Sequence, residues 1–264
     1  MSRKLDILYS VEPSQADLAA RAADYIAQKA AAAVTAHGRA RIAISGGSTP
    51  RAAFALLADS RQPWRAELPW DRLDLWWVDE RCVPPDDADS NYRMTRDALL
   101  DRAPLQPEQI HRMRGELEPE DGAAQYEAEI KSAFGLRESE TPRFDLVQLG
   151  MGPDGHTASL FPHTPALFET HRLAVANHVA AKDAWRITLT LPVINQAADV
   201  FFLIAGQDKA HILKEVVLGA KDPQRLPSQL ISPQNGILTL LLDQSAAAFL
   251  PETGQGGMGT IARI

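Results

Sequence analysis

A carboxylate and an imidazole two residues apart, set between glycines, form a pair suited to moving a proton. The segment Gly150-Met151-Gly152-Pro153-Asp154-Gly155-His156-Thr157-Ala158-Ser159 offers that pair directly after the apolar run Phe144 to Leu149. Glycines allow the tight backbone path that would project Asp154 and His156 into a cleft. Imidazole titrates at about 6.5 in free solution, so its base form is plentiful at neutral pH. The segment also matches G-x-G-x-x-G literally. A dinucleotide-binding turn, however, opens a long helix and is followed by a second strand ending in an acidic residue about 20 positions on. Pro162 and Pro165 would cut such a helix short, and Glu169 lies in no strand-like run, which argues against a nicotinamide cofactor. No further ligands stand at the spacing a metal needs.

Two other loops carry chemistry. Ser45-Gly46-Gly47-Ser48-Thr49-Pro50 joins a strand-like run to a helix, with Thr49 as the expected N-cap and Pro50 at the first helical position. Paired glycines, free N–H groups and the positive end of a helix dipole favour a phosphate, although a well-capped βα turn would read the same way. A nucleophile elbow would need glycine where Pro50 stands, and the Gly-Lys-Ser/Thr of a P-loop is missing. The second loop, Val78-Asp79-Glu80-Arg81-Cys82-Val83-Pro84, leads to Ser90-Asn91-Tyr92. Three charges in a row at a strand end are costly unless they face a polar cleft or one another. Arg81 could clamp an anion and Asp79 could take or orient a proton; a surface ion-pair cluster is the plainer alternative.

The elements that must position these loops alternate. Strand-like runs fall at Leu5–Tyr9, Arg41–Ile44, Leu73–Val78, Phe144–Leu149, Arg186–Leu191, Val200–Ala205 and Ile237–Leu242, with Arg186–Leu191 expected nearer a sheet edge. Helical patterns cover Ser14–His37, the stretch after Thr49, Asp89 to about Leu100, Glu120–Phe134, Gln207–Leu218 and, briefly, Gln244–Phe249. This alternation predicts one α/β domain over residues 1–264: a mostly parallel, Rossmann-like open sheet with helices on both faces, and a loose tail over 251–264. In such sheets ligands bind beyond the carboxyl ends of the strands, where all three loops fall.

Composition narrows the function class. The chain has 264 residues, 27 Lys plus Arg against 34 Asp plus Glu, and a net charge of −7. An acidic chain without a basic block is a poor partner for nucleic acid or an anionic membrane. Its only cysteine, Cys82, rules out an internal disulfide and fits a reducing compartment. The start Met-Ser-Arg-Lys-Leu-Asp-Ile has no apolar stretch of signal-peptide type, and no run approaches the roughly 18 apolar residues of a membrane span. A cytoplasmic protein is expected, with monomer and homodimer both open.

The three loops in this order, with Arg186-Ile187-Thr188-Leu189-Thr190-Leu191-Pro192 and Gly206-Gln207-Asp208-Lys209-Ala210, resemble the 6-phosphogluconolactonase family from about residue 10 to 249. The resemblance implies hydrolysis of 6-phospho-D-glucono-1,5-lactone in the oxidative pentose phosphate pathway, without metal or cofactor, on a fold shared with glucosamine-6-phosphate isomerases and deaminases. It makes His156 the general base that activates water, with Asp154 or Asp79 orienting it. Ser45, Gly46, Gly47, Ser48, Thr49, Arg81, Asn91 and Lys209 become phosphate or substrate contacts, with Arg186 a weaker candidate. His163 departs from the glycine common in the family, and nothing in the family corresponds to the tail. Two rivals are an amino-sugar-phosphate isomerase or deaminase using Asp79 as base, and a non-catalytic sugar-phosphate sensor. The lactonase-like Arg81 and the run His156-Thr-Ala-Ser-Leu-Phe-Pro weigh against the first; the second would need an output module, and no helix-turn-helix or basic face is present.

Overall fold

Buried apolar runs alternating with capped helices give, in chain order, β1 (Asp6–Glu12), α1 (Gln15–His37), β2 (Ala40–Ile44), α2 (Ser48–Ala58), α3 (Pro63–Glu67), β3 (Leu73–Trp77), β4 (Asp79–Arg81), α4 (Asn91–Thr95), β5 (Ile110–His111) and α5 (Pro119–Phe134). There follow β6 (Leu146–Leu149), β7 (Ala174–Val179), β8 (Ala184–Leu189), α6 (Leu191–Gln196), β9 (Asp199–Ile204), α7 (Ala210–Leu218), β10 (Ile237–Asp243) and β11 (Gly259–Ala262). The structure, a computed structural model, describes residues 6–251 and 258–262.

The main sheet has eight strands in the order β11-β1-β10-β9-β6-β2-β3-β5. Every neighbouring pair is parallel except β1 with β11. Side chains alternate across the strands, which fixes the layers. Tyr25 of α1 meets Phe201 of β9, with ring centroids 5.2 Å apart, while Leu213 of α7 packs with Phe202 and Leu240 on the opposite face. Likewise Tyr126 and Phe134 of α5 meet Trp76, and Tyr92 of α4 meets its neighbour Trp77 on the other side. Helices therefore cover both faces, as the alternation required. The pairs β4–β8 and β8–β7 make a separate antiparallel sheet in the order β4-β8-β7, packed against α5.

Helix α1 is bounded as its sequence dictates. Ser14 accepts a hydrogen bond from the Asp17 N–H, and Gly38, at φ 84°, returns its own N–H to the Val34 carbonyl. Elsewhere local cues gave way to tertiary ones. Helix α2 starts at Ser48 with Gly47 as N-cap, so Thr49 is not the cap and Pro50 lies third in the first turn, where a missing N–H still costs nothing. Of the run Arg186–Leu191, residues up to Leu189 belong to β8, the middle strand of the small sheet and not an edge of the main one, and Leu191 opens α6. Gln244–Phe249 is a run of turns and not a helix; the Asp243 carboxylate accepts the N–H groups of Ala246 and Gly206 at its start. The helix from Asp89 is α4 continued by a π-helical turn over Arg96–Leu100, and Gln207–Lys209 is a 3₁₀ turn ahead of α7. The tail expectation fails for Gly259–Ala262, which pairs with β1 as the antiparallel edge strand and buries Ile261; positions 252–257 and 263–264 lie outside the described residues, as does Leu5 of the first expected strand.

One contact fixes the strand that delivers the second loop. Strand β5 pairs with β3 only through Ile110↔Leu75 and His111↔Trp76, so the ladder stops short of Trp77. The Tyr126 hydroxyl closes the gap: it accepts from the Trp77 N–H at 2.9 Å and donates to the Trp77 carbonyl at 2.8 Å. Burial holds the phenol well above its ordinary pKa, so it stays a donor. Tyr126→Phe leaves two buried backbone groups unpaired and should lower the unfolding free energy by about 2–4 kcal/mol. Urea denaturation measures this, and a loss below about 0.5 kcal/mol would contradict the bridging role.

Candidate active site

Strands β2 and β6 are neighbours, and the chain leaves them in opposite directions, toward β3 from one and toward β9 from the other. Such a divergence opens a crevice at the carboxyl ends of an α/β sheet. Here it is a cleft of about 220 Å³ lined by Ser45, Gly46, Gly47, Ser48, Thr49, Pro50, Asp79, Arg81, Asn91, Gly150, Met151, Gly152, His156, Thr157, Ala158, Leu203, Ile204, Ala205 and Lys209.

The glycine-rich loop after β6 is a closed turn. Gly155 N–H donates to the Gly152 carbonyl, Gly152 N–H to the His156 carbonyl at 2.9 Å, and the Thr157 hydroxyl to the Gly150 carbonyl at 2.8 Å. The Asp154 carboxylate accepts from the His156 backbone N–H and from its Nδ1. This bond fixes the tautomer with hydrogen on Nδ1 and the lone pair on Nε2, which has no protein partner among the described residues. Burial raises the Asp154 carboxyl, but the hydrogen bonds and charge of His156 outweigh it and hold it below the usual carboxylate range. The other face of the imidazole is set by Phe161, stacked at 3.9 Å between centroids and 21° between planes. Glycine at 152 leaves room for the ring, because a β-carbon there would lie 2.0 Å from Nδ1 and Cε1 of His156.

The turn after β2 meets this loop across the cleft. Among the described residues no hydrogen bond engages the N–H groups of Ser48 and Thr49, and the Ser45 hydroxyl is buried without a partner. Free donors at the start of the eleven-residue α2 are suited to an anion. Lys209 and Arg81 add positive charge: Lys209 pairs with exposed Asp208 at 2.6 Å, and the Arg81 guanidinium donates to the Asp89 carbonyl. Asn91 wedges between the turn and β4, its Nδ2 donating to the Asp79 carbonyl at 2.9 Å. Asp79 is 7% exposed, and its Oδ2 accepts from the Ser159 hydroxyl at 2.7 Å.

Of the residues anticipated from sequence, Asp154 stands behind His156 and does not line the cleft, while Asp79 makes no hydrogen bond to the imidazole. Arg186 is displaced as well. It pairs with Arg81 across β4–β8 but lines a neighbouring cavity with Cys82, Asp89, Lys182 and Trp185, its guanidinium pKa lowered first by burial and then by Arg81. Cys82 faces that cavity too, with a thiol that burial pushes up to about 11, too high for a thiolate nucleophile. His163, where the resemblance expects glycine, adopts φ 59°, the left-handed conformation glycine would suit. Phe161 was missed, because an apolar run after a histidine reads as core, and Ser159 closed the loop segment without an assigned role. Among the described residues no three His, Cys, Asp or Glu side chains cluster as a metal would need.

Residues 13–240 match the family described as glucosamine-6-phosphate isomerases/6-phosphogluconolactonase. The chain belongs to that family. Within it, a 6-phosphogluconolactonase of Synechocystis sp. is 44% identical, over 81% of this chain and 86% of its own length. One from Nostoc sp. is 41% identical over 95% and 99%. Among solved structures, 6-phosphogluconolactonase from Trypanosoma cruzi superposes with a TM-score of 0.80 at 30% identity, covering 92% of this chain and 97% of that one.

The packing of the imidazole is open to a direct test. Gly152→Ala should drive the His156 ring off Phe161, and its Cε1–H proton resonance should move downfield as the ring-current shielding is lost. A resonance that stays put would mean that Gly152 does not set the ring's place.

Proposed function

We propose that this protein hydrolyses 6-phospho-D-glucono-1,5-lactone to 6-phospho-D-gluconate in the oxidative pentose phosphate pathway. The observation that carries this reading is one cleft holding an imidazole with a free Nε2, backed by a carboxylate on Nδ1, opposite a turn with free N–H donors and two cations. The family relatives support the same reaction. The phosphate rests on the Ser45–Thr49 turn with Lys209 and Arg81 beside it, so the lactone ring extends toward His156. The ring ester is already electrophilic and needs no covalent intermediate. His156 Nε2 takes a proton from water as the water oxygen bonds to the lactone carbonyl carbon. The Asp154 carboxylate stabilises the imidazolium through Nδ1–H. Collapse of the tetrahedral oxyanion breaks the bond to the ring oxygen, which receives the proton from Nε2. Arg81 or N–H groups of the loops offset the oxyanion charge. The chain acts as one α/β domain in the cytoplasm; no helix of the described residues is long and apolar enough to cross a membrane.

General-base assistance is worth about 10²–10⁴ in rate. His156→Ala should therefore lower kcat at least tenfold with the fold intact by circular dichroism. A rate near wild type, after correction for spontaneous hydrolysis, would reject His156 as the base, and ammonia release from glucosamine 6-phosphate would favour the isomerase/deaminase branch instead.

Binding at the remote phosphate is also expected to assist reaction at the carbonyl. Wild-type kcat/KM should accordingly be far higher for the 6-phosphorylated lactone than for unphosphorylated gluconolactone. Equal values would remove the role given to the Ser45–Thr49 turn.

A further inference from the structure

Glu80 is the middle residue of β4, between two residues that line the cleft, yet it does not line the cleft itself. It is 2% exposed, and among the described residues it has no ion-pair partner. Its carboxylate is instead saturated by four donors from two segments. Oε1 accepts the backbone N–H groups of Arg81 and Asn91, each at 2.7 Å; Oε2 accepts the Tyr92 N–H at 2.8 Å and the Ser90 hydroxyl at 3.1 Å. One buried side chain thus fastens the start of α4 to β4. What it fastens there is Asn91, itself 2% exposed. Asn91 Nδ2 reaches the Asp79 carbonyl, and its Oδ1 lies so close to Gly46 that a β-carbon on Gly46 would come within 1.8 Å of it. Asn91 is therefore a spacer between the turn after β2 and the strand carrying Asp79 and Arg81.

We propose that Glu80 is a positioning residue for the hydrolysis: acting through Asn91, it sets the gap between the Ser45–Thr49 turn and β4, and so the grip on the substrate's phosphate. This rests on the function proposed above. The chemistry of the donors favours a carboxylate over its amide here. Glutamine could satisfy Arg81 and Asn91 with its single carbonyl oxygen, but its NH₂ would then confront the Tyr92 N–H, donor against donor. The start of α4 would shift while the volume stayed filled.

Steady-state kinetics of E80Q, N91A and the double variant on 6-phospho-D-glucono-1,5-lactone test the idea. E80Q should raise KM at least tenfold while kcat falls no more than about threefold. In the N91A background the same change should alter kcat/KM less than about twofold, because the residue Glu80 acts through is gone. Multiplicative effects, or an E80Q enzyme within twofold of wild-type KM, would overturn the proposal. Should E80Q fold poorly, S90A removes one of the four donors and should shift KM the same way by a smaller factor; an unchanged KM there counts against the proposal. A crystal structure of whichever variant folds reads the geometry without turnover. The proposal expects the 2.9 Å contact from Asn91 Nδ2 to the Asp79 carbonyl to lengthen or break, and an unmoved Asn91 contradicts it. A wild-type protein inactive on the lactone would sink the proposed function alone, since the Asn91 displacement stands or falls separately.

Discussion

Common strand polarity is the constraint on which the cleft depends. Because β2, β3, β6 and β9 run parallel, their carboxyl ends reach one edge of the sheet together. The turn after β2, the charged segment after β3 and the glycine loop after β6 are then neighbours in space although about 35 and 70 residues separate them in sequence. A backbone bond reinforces this between the two strands that diverge: the Ser45 N–H donates to the Gln148 side-chain oxygen at 3.0 Å. The start of the Ser45–Thr49 turn is thereby tied to the strand that carries the imidazole loop.

Parallel strands deliver backbone ends, but side chains need a dry frame to stand in. That frame is polar and almost fully satisfied. Ser159 takes its N–H to Thr188, its hydroxyl to Asp79 and its carbonyl to Asn177, so the loop after β6, β4 and the small sheet form one network. Removing one partner of such a network strands the others, which is why buried polar frames hold a single geometry. The small antiparallel sheet thus has a definite purpose. It carries β4 across from the main sheet and buttresses it on β8, where Asp79 pairs with Thr188 and Arg81 with Arg186. The two adjacent guanidiniums repel, and only Arg81 reaches the cleft.

Much of this was legible from residues alone. The α/β class, the capped α1, the buried runs of β6 and β9 and the three loops all follow from period, glycine placement and polar residues at strand ends. What escaped detection has two sources: contacts distant in sequence, and local closures and stacking that residue types do not reveal. Strand β7 reads Ala-Val-Ala-Asn-His-Val, too mixed to mark a strand until β8 pairs with it. The start of α2 moved by two residues because the Gly47 carbonyl closes the first turn onto Arg51. Gly259–Ala262 looked loose because nothing local reveals that β1 has a free edge. Within the site, residue types pointed to His156, Asp79 and Arg81, while the choice of Asp154 over Asp79 as the imidazole's partner needed coordinates. Phe161 had no signal at all, since a stacking surface and a core residue have the same sequence signature.

That choice between carboxylates bears on which of the family's two chemistries the cleft suits. Moving a proton between adjacent carbons of an aldose calls for a carboxylate base with free lone pairs facing the sugar. Asp79 is poorly placed for this: one oxygen accepts the Ser159 hydroxyl, the other lies 3.4 Å from the Asn91 amide, and the group is almost wholly buried. His156 is its opposite. Its Nδ1 is engaged, its ring is clamped on Phe161, and its Nε2 alone is left with a lone pair to offer. A rigid base with one open nitrogen suits abstraction of a proton from water, which arrives without a fixed orientation and needs one imposed on it. The stacking on Phe161 and the glycine at position 152 matter for the same reason. They convert a side chain with two rotatable bonds into one with a single direction, so what separates His156 from an ordinary surface histidine is the loop that holds it.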